Sequence, residues 1–450
     1  MSTATAAHRS EGGSRLFGKV HPVRAMRARE VGGHAFVSSE VHVASEQDRF
    51  LPNTNGRALL EYEARPYCGQ FSDDGKFFYA CTQDFNVHLY DASDPLNLRE
   101  YKTVTTSVGQ WTITDATLSP DNQLLAHSSI TPYVDIASTD PYLPDEKTTI
   151  NLSHGPASTA GRRFGIWSLR FSSDGRELVA GTSSNSLVIY DLDRRSVVLS
   201  VRGHADDVNA VCFADASTHV LFSGSDDSLI KVWDRRTLRS GDAARPVGVL
   251  PGHTEGITYV ASRGDGRYCV SNGKDQCAKV WDVRMCMAPD KFDALPIRER
   301  DARIDFDYRY MSYPLGKYGP SIHRHTHDAS VVTLMGHHQV LSTLIRCHFA
   351  PNGAPYIATG SANGSIAIYN LQGEAMRELR AAGAAGRAAG YASYHGWRRS
   401  EVVRDVAWHP HGIPLLLSTT WAGEGGVIAA HEYDAGLATA TAGEIVAAAE

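Results

Sequence analysis

No uncharged apolar run in this 450-residue sequence approaches the ~18–20 residues that a helix needs to cross a bilayer, so no membrane-spanning helix is expected. Positive charge is not in excess: 44 Lys and Arg stand against 50 Asp and Glu, a formal charge of −6. That balance argues against a chain that grips nucleic acid through a general positive field. Cysteine is sparse. The 7 cysteines (Cys68, Cys81, Cys212, Cys269, Cys277, Cys286 and Cys347) are odd in number and form no CxxC pair, a reducing-compartment pattern rather than a disulfide scaffold. P-loop, GxSxG, HExxH and EF-hand patterns are missing as well. The first 30 residues carry Arg9, Arg15, Lys19, Arg24, Arg27 and Arg29 against Glu11 and Glu30, without the apolar centre of a secretory leader. They read as a solvated basic tail. Nuclear and/or cytoplasmic residence is expected, and the basic segment is too diffuse an import signal to choose between them.

What the chain does have is 42% hydrophobic residues, enough for a large core, and a sentence that recurs along it. Each copy opens with an apolar strand ending near Asp-Gly, as in Phe71-Ser72-Asp73-Asp74-Gly75 and Phe171-Ser172-Ser173-Asp174-Gly175. Weaker copies end at Gly266, Gly353 and Gly412. These dipeptides favour the positive φ of tight hairpin turns. Each copy closes on an aromatic-acid pair: Tyr90-Asp91, Tyr190-Asp191, Trp233-Asp234 and Trp281-Asp282, with Tyr369-Asn370 relaxed and Val134-Asp135 and Tyr433-Asp434 weakest. Successive endings lie 44, 56, 43, 48, 88 and 64 residues apart. A period of ~40–45 residues with this ending is the signature of WD repeats, each one a four-stranded propeller blade. Seven endings predict an all-β, seven-bladed WD-repeat β-propeller over 51–434, after a basic, largely disordered segment 1–50 and before an Ala-rich flexible tail 435–450. The two long gaps are assigned to insertions, about 285–330 between blades five and six and 375–397 between blades six and seven. The strand that closes the ring is expected from 31–45 or from 57–63.

In WD repeats, polar residues at fixed places form a buried chain from Trp to Ser to His to Asp. Blade four supplies Trp233, Ser223, His204 and Asp227; blade five supplies Trp281, Ser271, His253 and Asp275. Ser, His and Asp together also resemble a nucleophilic triad, but their recurrence at blade spacing assigns them to structure. No catalytic, metal or cofactor site is expected. His323-Arg324-His325-Thr326-His327, with His337-His338 nearby, lacks a Cys or carboxylate at ligand spacing and reads as a solvated loop. The stretch Arg303 to Tyr310 alternates Asp with its basic and aromatic residues, which weakens a nucleic-acid reading; it reads as an ordered insertion along the propeller's side. Trp421 to Gly426 replaces the tight Asp-Gly turn of blade seven. The more informative signal is that two consecutive repeats end in Trp-Asp-x-Arg, at Arg236 and Arg284. Neighbouring blades then present two arginines on one surface, suited to bidentate recognition of carboxylates and carbonyls.

Blade-specific phrases carry a resemblance. Residues 187–236, Trp111-Thr112-Ile113-Thr114-Asp115, Phe164-Gly165-Ile166-Trp167-Ser168, Ser271-Asn272-Gly273-Lys274-Asp275 and Val403-Arg404-Asp405-Val406-Ala407-Trp408-His409-Pro410 are similar to the WD repeat-containing protein 23 and plant LEC-type family, over roughly residues 50 to 434. The resemblance implies a substrate receptor of the cullin-4 RING ubiquitin ligase. It also implies docking to the damaged-DNA-binding protein 1 adaptor through Trp-Asp-x-Arg boxes, here Leu221 to Arg236 and Cys269 to Arg284. Trp233, Asp234, Arg236, Trp281, Asp282 and Arg284 are then the adaptor-binding residues, and an unidentified protein substrate occupies the other face for ubiquitination and proteasomal degradation. The alternative is an interaction scaffold without a ligase link; an enzyme ranks last, because the acids and histidines are already assigned to turns. Neither nucleic acid nor a membrane is an expected partner.

Overall fold

The computed structural model describes residues 51–437, apart from 107, 145, 154–163, 241–243, 305, 312, 314, 317–318, 321–323 and 383–400. The basic segment 1–50, the candidate strand 31–45 and nearly all of the tail 435–450 therefore lie outside the described residues. Seven four-stranded antiparallel sheets form the blades. Their innermost strands are Pro66–Phe71, Ile113–Leu118, Ile166–Phe171, Val208–Phe213, Ile257–Ser262, Cys347–Phe349 and Val402–Trp408, in blades one to seven. Blade seven borrows its outermost strand from the start of the chain: Arg57–Tyr62 pairs antiparallel with Gly425–Glu432. Just upstream, the Asn53 and Thr54 amides donate to the Glu432 carbonyl at 2.9 and 3.1 Å, which ties the two ends of the ring together.

Turn chemistry explains the hairpins. In blades one and three the Ser72 and Ser172 hydroxyls donate to Asp74 and Asp174, and Gly75 and Gly175 adopt φ of 65° and 71°. A side chain is poorly tolerated there, so the Gly of Asp-Gly is a backbone requirement. The cores lie between neighbouring blades, and Trp233 and Trp281 are wholly buried in them.

Five expectations need correction. In blade two, Ser138 pairs with Leu124 as Asp191 pairs with Glu177 in blade three, so the repeat ends at Ala137-Ser138 and Asp135 lies mid-strand opposite His127. In blade seven the register places the ending at His431-Glu432, two residues before Tyr433-Asp434. The 285–330 insertion falls inside blade five, between its third strand Cys277–Asp282 and its outermost strand Val332–Leu334. Of the supposed 375–397 loop, Ala375–Arg380 is the outermost strand of blade six. The Trp421–Gly426 segment also holds a tight turn after all: Ala422 pairs with Gly425 around Gly423-Glu424, with Gly423 at φ 66°.

Candidate docking face and central ion cluster

Within each blade the first and third strands run the same way, so first-hairpin turns and third-strand endings share one face, called lower here. The loops bearing His204 and His253 open on the opposite, upper face. In blade four the indole N–H of Trp233 donates to Ser223 Oγ (2.8 Å), which lies 2.7 Å from His204 Nε2; His204 Nδ1 meets Asp227 at 2.8 Å. Blade five repeats this with Trp281, Ser271, His253 and Asp275 at 2.8, 2.7 and 2.9 Å. The Asp227 carboxylate can only accept, so the His204 Nδ1–H points to it, and with the ring neutral the serine proton goes to His204 Nε2. That inventory needs a neutral ring, and burial pushes the His204 pKa down. Asp227 also accepts the amides of Ala205 and Leu229 at 2.9 and 3.1 Å, so its charge is fully solvated by the protein. Blade seven keeps a remnant: His431, at the position of the tryptophan, lies 3.0 Å from Ser418 Oγ.

On the lower face the two Trp-Asp-x-Arg endings are alike. Arg236 donates from Nε and Nη2 to Asp234 at 2.9 and 2.6 Å. Arg284 does the same to Asp282 at 3.1 and 2.7 Å. Both side chains remain 64% exposed. The hydrogen bond from Arg236 holds the Asp234 carboxyl at about 2. Arg267 adds a second guanidinium to Asp282 at 2.9 Å. Next to these endings, the Gly266 amide and the Ser262 hydroxyl of blade five donate to the Ala214 carbonyl of blade four, at 3.1 and 2.6 Å. The two arginines thus sit at equivalent places on cross-linked neighbouring blades, each held by its own aspartate. Such fixed guanidinium planes lose little freedom on binding.

Sequence reasoning missed the centre. Four innermost-strand segments, in blades two, three, six and seven, send charged side chains into one buried cluster. Asp115 of blade two meets Arg170 of blade three at 2.6 Å and Arg346 of blade six at 2.8 Å. Arg346 continues to Asp405 of blade seven at 3.4 Å, which is also 2.9 Å from His348 and 3.1 Å from the Gln70 amide of blade one. Arg170 donates to the Tyr259 hydroxyl of blade five at 2.6 Å. Burial opposes both carboxylates, but Arg170 and Arg346 outweigh it at Asp115, and Arg346 and His348 hold Asp405 at about 2. Titratable groups do converge, contrary to expectation, and they are spent on one another. An acid in the middle of an innermost strand, at Asp115 and Asp405, was the available signal. The partners were not legible, since 231 residues separate Asp115 from Arg346.

The insertion is ordered over much of its length. Met287 exchanges backbone hydrogen bonds with Val249 at 2.9 and 2.7 Å, adding to the outer edge of blade four. Phe292, in the helix Pro289–Asp293, buries itself against Leu229 and Val249. Farther on the chain reaches the upper face. There Arg303 donates to the Asp226 carbonyl at 3.1 Å and the Ile304 amide to Glu255 at 2.7 Å; Tyr308 covers Lys274 at 4.4 Å. His325 and His338 are buried rather than solvated. Among the described residues no group of three or more His, Cys, Asp or Glu side chains is placed to hold a metal.

Comparison with known proteins agrees with this architecture. A family model described as Nucleolar protein 10-like, N-terminal domain, a β-propeller, matches residues 95–285. The chain is 38% identical over 409 residues to the LEC14B protein of Lithospermum erythrorhizon, covering 88% of this chain and 79% of that one. The chain belongs to the LEC14B family. The LEC14B homolog of Prunus armeniaca is 39% identical over 391 residues, 85% of this chain and 75% of that one. A Caenorhabditis elegans relative named DDB1- and CUL4-associated factor 11 homolog is 32% identical over 399 residues, 86% of this chain and 64% of its own length. The family model's residues 95–285 include both Trp-Asp-x-Arg endings.

Proposed function

We propose that the chain is a non-catalytic substrate receptor of a cullin-4 ubiquitin ligase, docking to the damaged-DNA-binding protein 1 adaptor with its lower face. The observation that carries this reading is the pair of exposed guanidinium groups, Arg236 and Arg284, each oriented by the aspartate two residues before it. The name of the worm relative supports the ligase link. In this reading Trp233 and Trp281 anchor the two endings, Asp234 and Asp282 aim the arginines, and the adaptor supplies carboxylates or carbonyls. The upper face then presents a captured protein, and the receptor acts by raising its effective concentration near the conjugating enzyme. Co-purification from cells tests it: Arg236→Ala with Arg284→Ala loses the adaptor and keeps other bound proteins. Retention of the adaptor by the double variant overturns the docking assignment. Partners without any adaptor in the wild-type complexes favour the scaffold reading.

A further inference from the structure

The central cluster does not balance its charge. Among the described residues Arg170, Arg346 and Arg404 face two carboxylates, Asp115 and Asp405, which Arg170 and Arg346 share. Arg404 is paired with neither. Its residue is 5% exposed, its Nη1 donates to the Tyr67 carbonyl, and its guanidinium lies 5.1 Å from the centre of the Tyr67 ring. Nε is buried with no hydrogen-bond partner, and Nη2 makes no hydrogen bond among the described residues. Burial and the neighbouring Arg346 both push its pKa down. An unpaired buried charge is costly, and proteins retain one where something outside the fold offsets it.

An aromatic pair stands beside it. The innermost strand of blade seven runs from the upper to the lower face, so Arg404 lies on the upper side of Asp405. Tyr67 stands 6.2 Å from Trp111, in the loop leading into blade two. Trp111 is 59% exposed and adopts φ 68°, a conformation that is unusual for a bulky residue and clusters at functional sites.

We propose that Arg404 is the floor of a carboxylate-binding site on the upper face, walled by Tyr67 and Trp111, which takes one carboxylate presented by a peptide. The edge left free, Nε with Nη2, is the edge that grips a carboxylate in two parallel hydrogen bonds. Among these five groups, three guanidiniums against two carboxylates leave one positive charge. A single carboxylate cancels it, whereas a phosphoryl dianion reverses the sign. The site deepens the receptor reading and rests on it for its biological occupant.

Titration of the full-length chain, followed by tryptophan fluorescence and melting temperature, tests the site. The probes are a triglycine peptide with a free C-terminus, the same peptide amidated, an amidated Gly-Asp-Gly peptide and inorganic phosphate. The expected result is a response to one or both carboxylate peptides and none to the amidated triglycine; which one responds tells a chain terminus from an acidic side chain. Arg404→Met is expected to weaken that response at least tenfold without lowering the melting temperature. Arg404→Lys, which keeps the charge but not the forked edge, weakens it too. The response survives Arg236→Ala with Arg284→Ala, so failure of adaptor docking and failure of this site are separable. Absence of any carboxylate response, tighter binding of phosphate, or a melting loss for Arg404→Met equal to that of Arg346→Met would overturn the proposal.

Discussion

Replacing Arg346 with Met removes the guanidinium that joins blade two to blade seven across the centre of the ring, while keeping most of the side-chain volume. Breaking a buried pair by removing one partner costs ~3–5 kcal/mol when the other is left uncompensated. Neither carboxylate is stripped completely here. Asp115 keeps Arg170 and the Leu169 amide at 2.6 and 2.9 Å, and Asp405 keeps His348 and the Val406 amide, both at 2.9 Å. The loss is therefore set about 1 kcal/mol lower, at about 2–4 kcal/mol, read from urea or thermal unfolding at pH 7. The pH profile is the sharper readout. The Asp405 carboxyl sits at about 2 in the folded chain against an ordinary 3.8. Its folded pKa is depressed, so its contribution of about 2 kcal/mol is present above the unfolded value and fades as pH falls from about 4 to 2. Without Arg346 the folded pKa rises and that acid-sensitive step shrinks. A variant as stable as the wild type at pH 7, with an unchanged acid limb, would refute the claim that the central pairs hold the ring.

Three further outcomes are expected. Asp227→Ala leaves the His204 Nδ1–H and the Ala205 amide without their acceptor and costs ~1–3 kcal/mol in a urea melt. Gly423→Ala places a side chain at φ 66° in the blade-seven turn and costs about 1–2 kcal/mol by the same assay. Burial pushes the Glu255 carboxyl up to about 7 from 4.5; its folded pKa is raised, so stability falls as pH climbs through that interval. Glu255→Gln therefore stabilises the fold at pH 8, on the order of 1 kcal/mol after solvent screening, read as a higher melting temperature, and makes no difference at pH 4.

The blade count was legible because each blade advertises its two ends with residues that backbone geometry and packing demand: a left-handed Gly such as Gly75 and a buried aromatic such as Trp233. Where those demands relax, the reading slipped by two or three residues. Blade two packs Ala137 at the aromatic position, and blade seven packs His431 there. The placement of the insertion failed for a different reason. The strand that completes blade five, Val332–Leu334, has three residues and begins 50 residues after Asp282, too short and too distant to show an alternating pattern. Both Trp-Asp-x-Arg arginines were legible as local motifs, and the structure adds their bidentate hold on Asp234 and Asp282. The partners of Asp115, Arg346 and Asp405 come from blades far apart in the chain, and only closure of the ring brings them together.

The most direct test of the account is the affinity of purified damaged-DNA-binding protein 1 for the wild-type chain, for Arg236→Ala, for Arg284→Ala and for the double variant, with unfolding curves run in parallel. Both side chains are exposed and bond only their own blades, so unfolding is expected to shift by no more than ~0.5 kcal/mol. Each single change is expected to weaken binding by roughly tenfold or less and the double change by more than tenfold. Equal affinity across all four proteins, with intact folds, would contradict the account.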